Sequence, residues 1–204
     1  WLRTLYELGF NGILADDMGL GKTLQVIALL DQLQTDKPSL VVCPSSLIYN
    51  WEDEVHKFSQ TLPVTCIVSD ANTRKTMIHA ICGKHLYVTS YDYIRRDIEL
   101  YDAIEFEYVI LDESQYIKNQ KTKNATSVKQ LHALHKLALS GTPIENSLAE
   151  LWSVFDFLMP QYLYNYHYFQ KKFETDIVKN QDQKKIQQLQ KMVSPFILRR
   201  NKKD

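Results

Sequence analysis

The sequence predicts an α/β fold, a mostly parallel central sheet with helices packed on both faces. Short apolar, β-branched runs alternate along the chain with longer segments of helical period. The short runs are continuously apolar rather than alternating, as strands buried on both faces must be. This β-α-β-α rhythm holds over about residues 10–158 and leads to a doubly wound sheet.

Strands are expected at Gly12–Ala15, Leu40–Cys43, Val64–Val68, Leu86–Thr89, Tyr108–Leu111 and Leu137–Leu139. Helices are expected between them, at about Lys22–Gln34, Leu47–Phe58, Thr73–Cys82, Thr122–Leu131 and Ser147–Leu158. The pattern changes after Met159-Pro160. Tyr162, Tyr166, Phe169 and Phe173 follow at spacings of four, three and four, which marks one helix face, and Tyr164 and Tyr168 add a second stripe. The same stretch, YLYNYHYF, also alternates, so a strand is the rival reading. Ile186, Leu189 and Val193 outline another amphipathic helix beyond the polar break DIVKNQDQ. A strand-like run returns only at Phe196-Ile197-Leu198. The expected organisation is a lobe over residues 1–159, a helical protrusion over 160–194 and a connection beginning at 195–204.

Composition sets outer bounds. With 204 residues, 45% hydrophobic and 24% charged, the chain can bury a core without disulfides or metal. No apolar run approaches the length of a membrane-spanning helix, so no membrane partner is expected. Charge balances overall, but residues 171–204 hold 10 Lys/Arg against 4 Asp/Glu, and residues 1–170 hold 14 against 20. A Lys-rich tail of this kind reads first as a solvated helix face. Cys43, Cys66 and Cys82 lack the short spacing of a metal or redox pair, which fits a reducing compartment. The six histidines are scattered; His132 and His135 are expected on one helix face, with no Cys or acid at metal spacing.

The sharpest local signal is Asp16-Asp17-Met18-Gly19-Leu20-Gly21-Lys22-Thr23, set between an expected strand and an expected helix. That is the setting a phosphate-binding loop requires. Glycines at 19 and 21 let backbone N–H groups turn inward around phosphate oxygens, and the new helix adds its positive end. Lys22 supplies a charge for the β- and γ-phosphates of ATP, and Thr23 a hydroxyl for Mg²⁺. The strict pattern wants glycine where Asp16 stands.

A second signal is the run Glu107-Tyr108-Val109-Ile110-Leu111 leading into Asp112-Glu113-Ser114-Gln115. An acid pair at a strand end, beside a phosphate loop at another, suits metal-assisted phosphoryl transfer: Asp112 for Mg²⁺, Glu113 to orient and deprotonate the attacking water.

Three further segments carry a family resemblance: VCPSSLIYNW at 42–51, Thr89-Ser90-Tyr91, and SGTPIENSLAELWSVFDFLMP at 140–160. With the two site signals and the ending PFILRR at 195–200, the chain resembles the first RecA-like lobe of a Swi/Snf-family ATPase of helicase superfamily two. The resemblance covers nearly the whole chain, most weakly over 60–85 and 160–192. It implies an ATP-driven motor that translocates on double-stranded DNA, with a second RecA-like lobe as partner and a DNA-bound protein complex as target. It implies that Gln115 contacts the nucleotide or couples it to the partner lobe, and that Ser140, Gly141 and Thr142 transmit the nucleotide state. It places the segments at 44–51 and 89–91 against the DNA backbone. The DNA candidates are therefore Ser45, Ser46, Trp51, Thr89 and Ser90, joined by Lys118 and Asn119 in a basic cluster with Lys121 and Lys123. Trp51 has a second reading, as the anchor of the helix that follows the second strand.

The family commonly carries Glu at Asp17 and Asp-Glu-Ala-His where this chain has DESQ. The latter leans towards a bacterial, nucleoid-associated cytoplasmic source; a eukaryotic source would place the protein in the nucleus. By the resemblance the chain begins after the adenine-contacting glutamine and stops before the lobe that supplies an arginine finger, so the fragment alone is expected to turn over little or no ATP. Two other functions stay open at this point: a nucleotide-gated docking module without turnover, and an RNA or single-stranded DNA helicase lobe. The intact Lys22, Thr23, Asp112 and Glu113 favour an enzyme.

Overall fold

The computed structural model describes residues 1–141 and 147–202, apart from the Lys179 side chain. Thr142 and most of the GTPIENS run lie outside the described residues.

Chain order is α1 (Leu2–Leu8), β1 (Gly12–Leu14), α2 (Lys22–Gln32), β2 (Ser39–Cys43), α3 (Ile48–Phe58), β3 (Val64–Cys66), α4 (Ala71–His79), β4 (Leu86–Ser90) and α5 (Tyr91–Asp97). There follow β5 (Glu105–Leu111), α6 (Lys123–Val128), β6 (His132–Leu139), α7 (Leu148–Leu158), α8 (Tyr166–Phe169), α9 (Thr175–Asn180), α10 (Gln183–Val193) and β7 (Ile197–Leu198). The seven strands form one sheet in the order β3-β4-β2-β5-β6-β1-β7. Every recorded pairing is parallel. All strands therefore end at the same edge, where ligands gather in open α/β sheets.

The period of two divides the core. Val41 and Cys43 of β2 join Tyr108 and Ile110 of β5 under α2 and α3. Leu40, Val42, Val109 and Leu111 face the other way, under α5, α6 and α7. On that second face a buried pair, Arg74 Nε to Asp97 Oδ2 at 2.6 Å and Nη2 to Oδ1 at 3.0 Å, ties α4 to α5.

Three expectations change. His132 and His135 lie on β6, not on a helix, and at a spacing of three they point to opposite faces of the sheet. His132, His135 and Lys136 interrupt the first half of the strand, so a continuous apolar run appears only at Leu137–Leu139. Tyr162 is not on a helix face; the helix begins after Asn165, whose side chain accepts from the Tyr168 N–H. A π-turn over Gln170–Glu174 then joins α8 to α9, so the rival strand over this stretch is absent. The apolar residues of this region, Phe169, Phe173, Leu189 and Val193, share the buried cluster of α7.

Candidate functional site: a phosphate loop and an acid pair on one sheet edge

The loop after β1 spans Asp16 to Gly21, and α2 begins at Lys22. Gly19 and Gly21 have φ of 82° and 76°, the left-handed region that a side chain would strain. Gly21 caps α2 without a side-chain hydrogen bond, so the first N–H groups of that helix remain for an anion. Lys22 Nζ donates to the Asp16 carbonyl at 2.7 Å and to the Asp17 carbonyl at 3.4 Å. Met18 stands exposed at the tip, and Leu20 is half-buried. Thr23 is half-buried in the first turn of α2.

Asp16, the residue that departs from the strict loop pattern, is fully buried. Its carboxylate accepts from the Arg200 backbone N–H at 3.0 Å and from the Arg200 guanidinium through Nε and Nη2. Gln25 Nε2 donates to it at 3.4 Å. Burial alone would raise the Asp16 carboxyl, but the donors Arg200 and Gln25 outweigh it and hold the group below the usual carboxylate range. Arg200 arrives because β7 pairs with β1, Leu14 opposite Leu198. The Asp17 N–H then donates to the Arg200 carbonyl at 3.0 Å, and the Lys202 N–H to Asp17 Oδ2 at 3.3 Å. Sequence reasoning flagged Asp16 and the Arg199-Arg200 pair separately; the pattern held nothing that joined them.

The acid pair ends β5. Asp112 Oδ2 accepts from Trp51 Nε1 at 2.9 Å, and Oδ1 from the Glu113 N–H at 2.9 Å. The Asp112 carbonyl accepts from the Tyr91 hydroxyl at 2.7 Å. Burial raises the Asp112 carboxyl above its ordinary value; the Trp51 and Glu113 donors and the charge of Lys22 oppose that shift. Glu113 has φ 49°, and its Oε2 accepts from Gln115 Nε2 at 2.7 Å. Gln115 Oε1 and Ser114 Oγ are buried with no hydrogen-bond partner among the described residues.

One strand, β6, separates β1 from β5, with Leu14 opposite Leu139 and Leu111 opposite Ala138. Its exit carries Ser140 and Gly141 into the space between loop and acids. The Ser140 N–H donates to the Leu14 carbonyl at 3.1 Å. A side chain built on Gly141 would lie 3.3 Å from Met18 Cγ and 4.0 Å from Lys22 Nζ. Lys22, Thr23, Asp112, Glu113, Ser140 and Gly141 therefore all stand at strand exits β1, β5 and β6.

The DNA candidates divide. Ser45, Ser46, Lys118 and Asn119 are exposed. Trp51 is fully buried with its N–H committed to Asp112, so its ring is not available to stack on a base. Thr89 is fully buried and donates to the Ile67 carbonyl at 3.1 Å. Ser90 is nearly buried, and its Oγ accepts from the Tyr93 N–H at 3.2 Å as the cap of α5. All three side chains are committed within the fold, Ser90 by satisfying an open donor at the start of α5. Ser90→Ala is expected to lower stability by about 1 kcal/mol, and Ser90→Asn to recover most of it. Chemical denaturation measures this; an unchanged midpoint in Ser90→Ala would return Ser90 to the surface contacts.

A phosphate loop and a carboxylate pair two strands apart, on one edge of a wholly parallel sheet, define a RecA-like nucleotide-binding lobe. The chain belongs to the SNF2-related family: the family model for the SNF2-related domain matches residues 1–204. It is 38% identical to the TATA-binding protein-associated factor MOT1 of Saccharomyces cerevisiae, over 100% of this chain and 12% of the yeast protein. It is 40% identical to an ATP-dependent helicase of Mycoplasma genitalium, MG018, over 99% of this chain and 20% of that protein. Among solved structures, the Sulfolobus solfataricus SWI2/SNF2 ATPase core in complex with double-stranded DNA superposes with a TM-score of 0.90 at 40% identity, covering 100% of this chain and 43% of that one. The chain thus spans a fifth or less of these two curated relatives. No described helix is long and apolar enough to cross a membrane.

Proposed function

We propose that this chain is the first ATP-binding lobe of an ATP-driven motor that moves along double-stranded DNA. The observation that carries the reading is the shared edge: the Lys22 loop and the Asp112–Glu113 pair flank the single strand exit at Ser140–Gly141. A relative of known structure, 40% identical, was solved on duplex DNA, which supports the choice of polymer.

The chemistry follows from the residues. Lys22 holds its charge on two loop carbonyls, and phosphate oxygens can replace these acceptors without moving the backbone. The oxygen-only donor set of Thr23 and Asp112 fits a hard cation, and among the described residues the hydrogen-bond donors to the Asp112 carboxylate are neutral, which would leave its charge for that cation. Thr23 and Asp112 would hold Mg²⁺, which would supply positive charge against that of the phosphates. Glu113 would orient the attacking water and take its proton, with Gln115 fixing the carboxylate. Asp17, Met18, Gly19, Leu20 and Gly21 would wrap the phosphates. Ser140 and Gly141 would report the nucleotide state, and a second lobe would complete the site. Ser45, Ser46, Lys118 and Asn119 are the exposed side chains that would meet DNA phosphates.

The test is ATP turnover by the full parent protein with no nucleic acid, duplex DNA, single-stranded DNA and RNA, beside Lys22→Ala. Strong stimulation by the duplex, lost in Lys22→Ala, and displacement of a triplex-forming strand are the expected results. Tight nucleotide binding without turnover in every condition would replace the motor with a nucleotide-gated docking module. Stimulation by RNA or single strands alone would overturn the choice of polymer.

A further inference from the structure

Beyond β7 the chain runs alongside the phosphate loop. The Ala15 N–H donates to the Leu198 carbonyl at 2.7 Å, the Asp17 N–H to the Arg200 carbonyl at 3.0 Å, and the Lys202 N–H to Asp17 Oδ2 at 3.3 Å. Residues 198, 200 and 202 therefore all face the loop, at the two-residue interval of an extended strand. The Arg200 guanidinium is committed to Asp16. The Lys202 ammonium is committed to no carboxylate among the described residues. It stands over Gly19 instead: a side chain built on that glycine would lie 3.4 Å from Lys202 Nζ and 3.5 Å from Cε. The charges complement one another. Residues 16–23 carry two aspartates and a single lysine, whereas residues 199–202 carry Arg199, Arg200 and Lys202. Two carboxylates inside a phosphate loop repel a polyphosphate, and a nearby cation offsets that repulsion. Asp16 has the guanidinium for this; the cation standing over the rest of the loop is Lys202.

We propose that Lys202 is a second phosphate-binding lysine of the nucleotide site, its ammonium reaching across Gly19 to the phosphate chain of ATP or ADP. The proposal rests on the reading of Asp16–Thr23 as the nucleotide loop and is independent of whether the protein moves on DNA. Lysine suits the place: a compact charge on a flexible four-carbon stem swings from above Gly19 to a phosphate oxygen while its main chain stays bonded to Asp17. The two lysines divide the work. Lys22 opens α2 from within the loop, half-enclosed by the Asp16 and Asp17 carbonyls. Lys202 is exposed, so its attraction is smaller and screened by salt. Gly19 then serves twice: it takes the left-handed φ of 82°, and it leaves open the space that Lys202 crosses.

The experiment uses the full parent protein without DNA and the variants Lys202→Ala, Lys202→Arg and Lys202→Glu. Lys75→Ala, on the exposed side of α4 at the far end of the sheet, controls for the loss of one charge. Isothermal titration calorimetry gives Kd for ADP and for a non-hydrolysable ATP analogue, at about 50 mM and about 500 mM salt. Melting temperatures without nucleotide are measured alongside. Alanine keeps the main-chain bond to Asp17 and removes only the ammonium, so melting is expected within about 1 °C of wild type. Lys202→Ala is expected to weaken both nucleotides about fivefold at low salt and less than about twofold at high salt. Lys202→Arg is expected within about twofold of wild type, since it restores the charge, and Lys202→Glu about twentyfold weaker. Wild-type affinity in Lys202→Ala at low salt would overturn the proposal. So would an equal loss in Lys75→Ala, or a salt-independent loss shared by Lys202→Arg and accompanied by lower melting, which would mark a structural role. A wild-type protein that binds neither nucleotide would remove the nucleotide reading of the loop and this proposal with it.

Discussion

Glu113→Gln is expected to leave ATP bound and to lower duplex-stimulated turnover about 1,000-fold. A positioned general base contributes about 10²- to 10⁴-fold, and the amide keeps the shape of the carboxylate while losing its basicity. The backbone at Glu113 is already left-handed, with φ 49°, and glutamine meets that constraint no worse than glutamate. Gln115 donates to Glu113 Oε2 at 2.7 Å, and the glutamine carbonyl can accept the same bond. The variant therefore separates chemistry from folding. KM for ATP should stay within about threefold, because the phosphate contacts proposed above are those of the loop and Lys22, not of Glu113. Steady-state kinetics with saturating duplex gives both numbers. Turnover within about tenfold of wild type would remove Glu113 from the catalytic step.

Arg200→Ala is the second large effect, and it acts 184 residues away from the loop it disturbs. Asp16 is fully buried in the intact chain, and removal of the guanidinium leaves its carboxylate with Gln25 and one backbone N–H as donors. Breaking a fully buried pair costs about 3–5 kcal/mol; the Arg200 side chain is 49% exposed, so about 2 kcal/mol is the expected loss after solvent screening. ATP affinity should fall about tenfold, because the carbonyl that holds Lys22 belongs to Asp16. Adding Asp16→Asn removes the orphaned charge and should recover about half of the stability. The pH dependence has a definite sign. The Asp16 carboxyl is held below its ordinary value, so its contribution is complete above the unfolded-state pKa of about 4 and is lost as pH falls through the lower folded-state value. The gap between wild type and Arg200→Ala should therefore be full at neutral pH and should close in strong acid. Urea titrations across pH measure it; a gap that widens in acid would contradict the clamp.

The candidate site residues were legible because each follows a continuous apolar strand: Lys22 comes after Gly12–Leu14, Asp112 after Glu105–Leu111. Burial on both faces writes itself plainly into such runs. What escaped notice lacks that signature. α1 and α5 have seven residues each, too short for a clear helical period, although Ser90, Asp92 and the Arg95–Arg96 pair mark α5 as a capped helix with complementary ends. The spacing of Tyr162 from Tyr166 was coincidence. Gln161 and Tyr164 take left-handed φ of 67° and 64°, and Tyr162 packs in a turn against Phe155 and Phe196. The Asp16–Arg200 and Asp112–Trp51 contacts are products of strand order, and strand order leaves no local trace in composition or period.

The order β1-β6-β5 also works as a ruler. Neighbouring strands stand about 4.8 Å apart, so the exits of β1 and β5 are about two spacings from one another. That interval is the gauge of the candidate site, the width between loop and acids that the proposed triphosphate and cation would have to fit. It is graduated in main-chain hydrogen bonds, which no exchange of side chains can rescale. Substitutions along β6 can weaken the lobe or tilt what stands on its rim, yet the aperture keeps its width for as long as the sheet exists. Selectivity for a ligand of a different size would have to come from the loops that crown the strands.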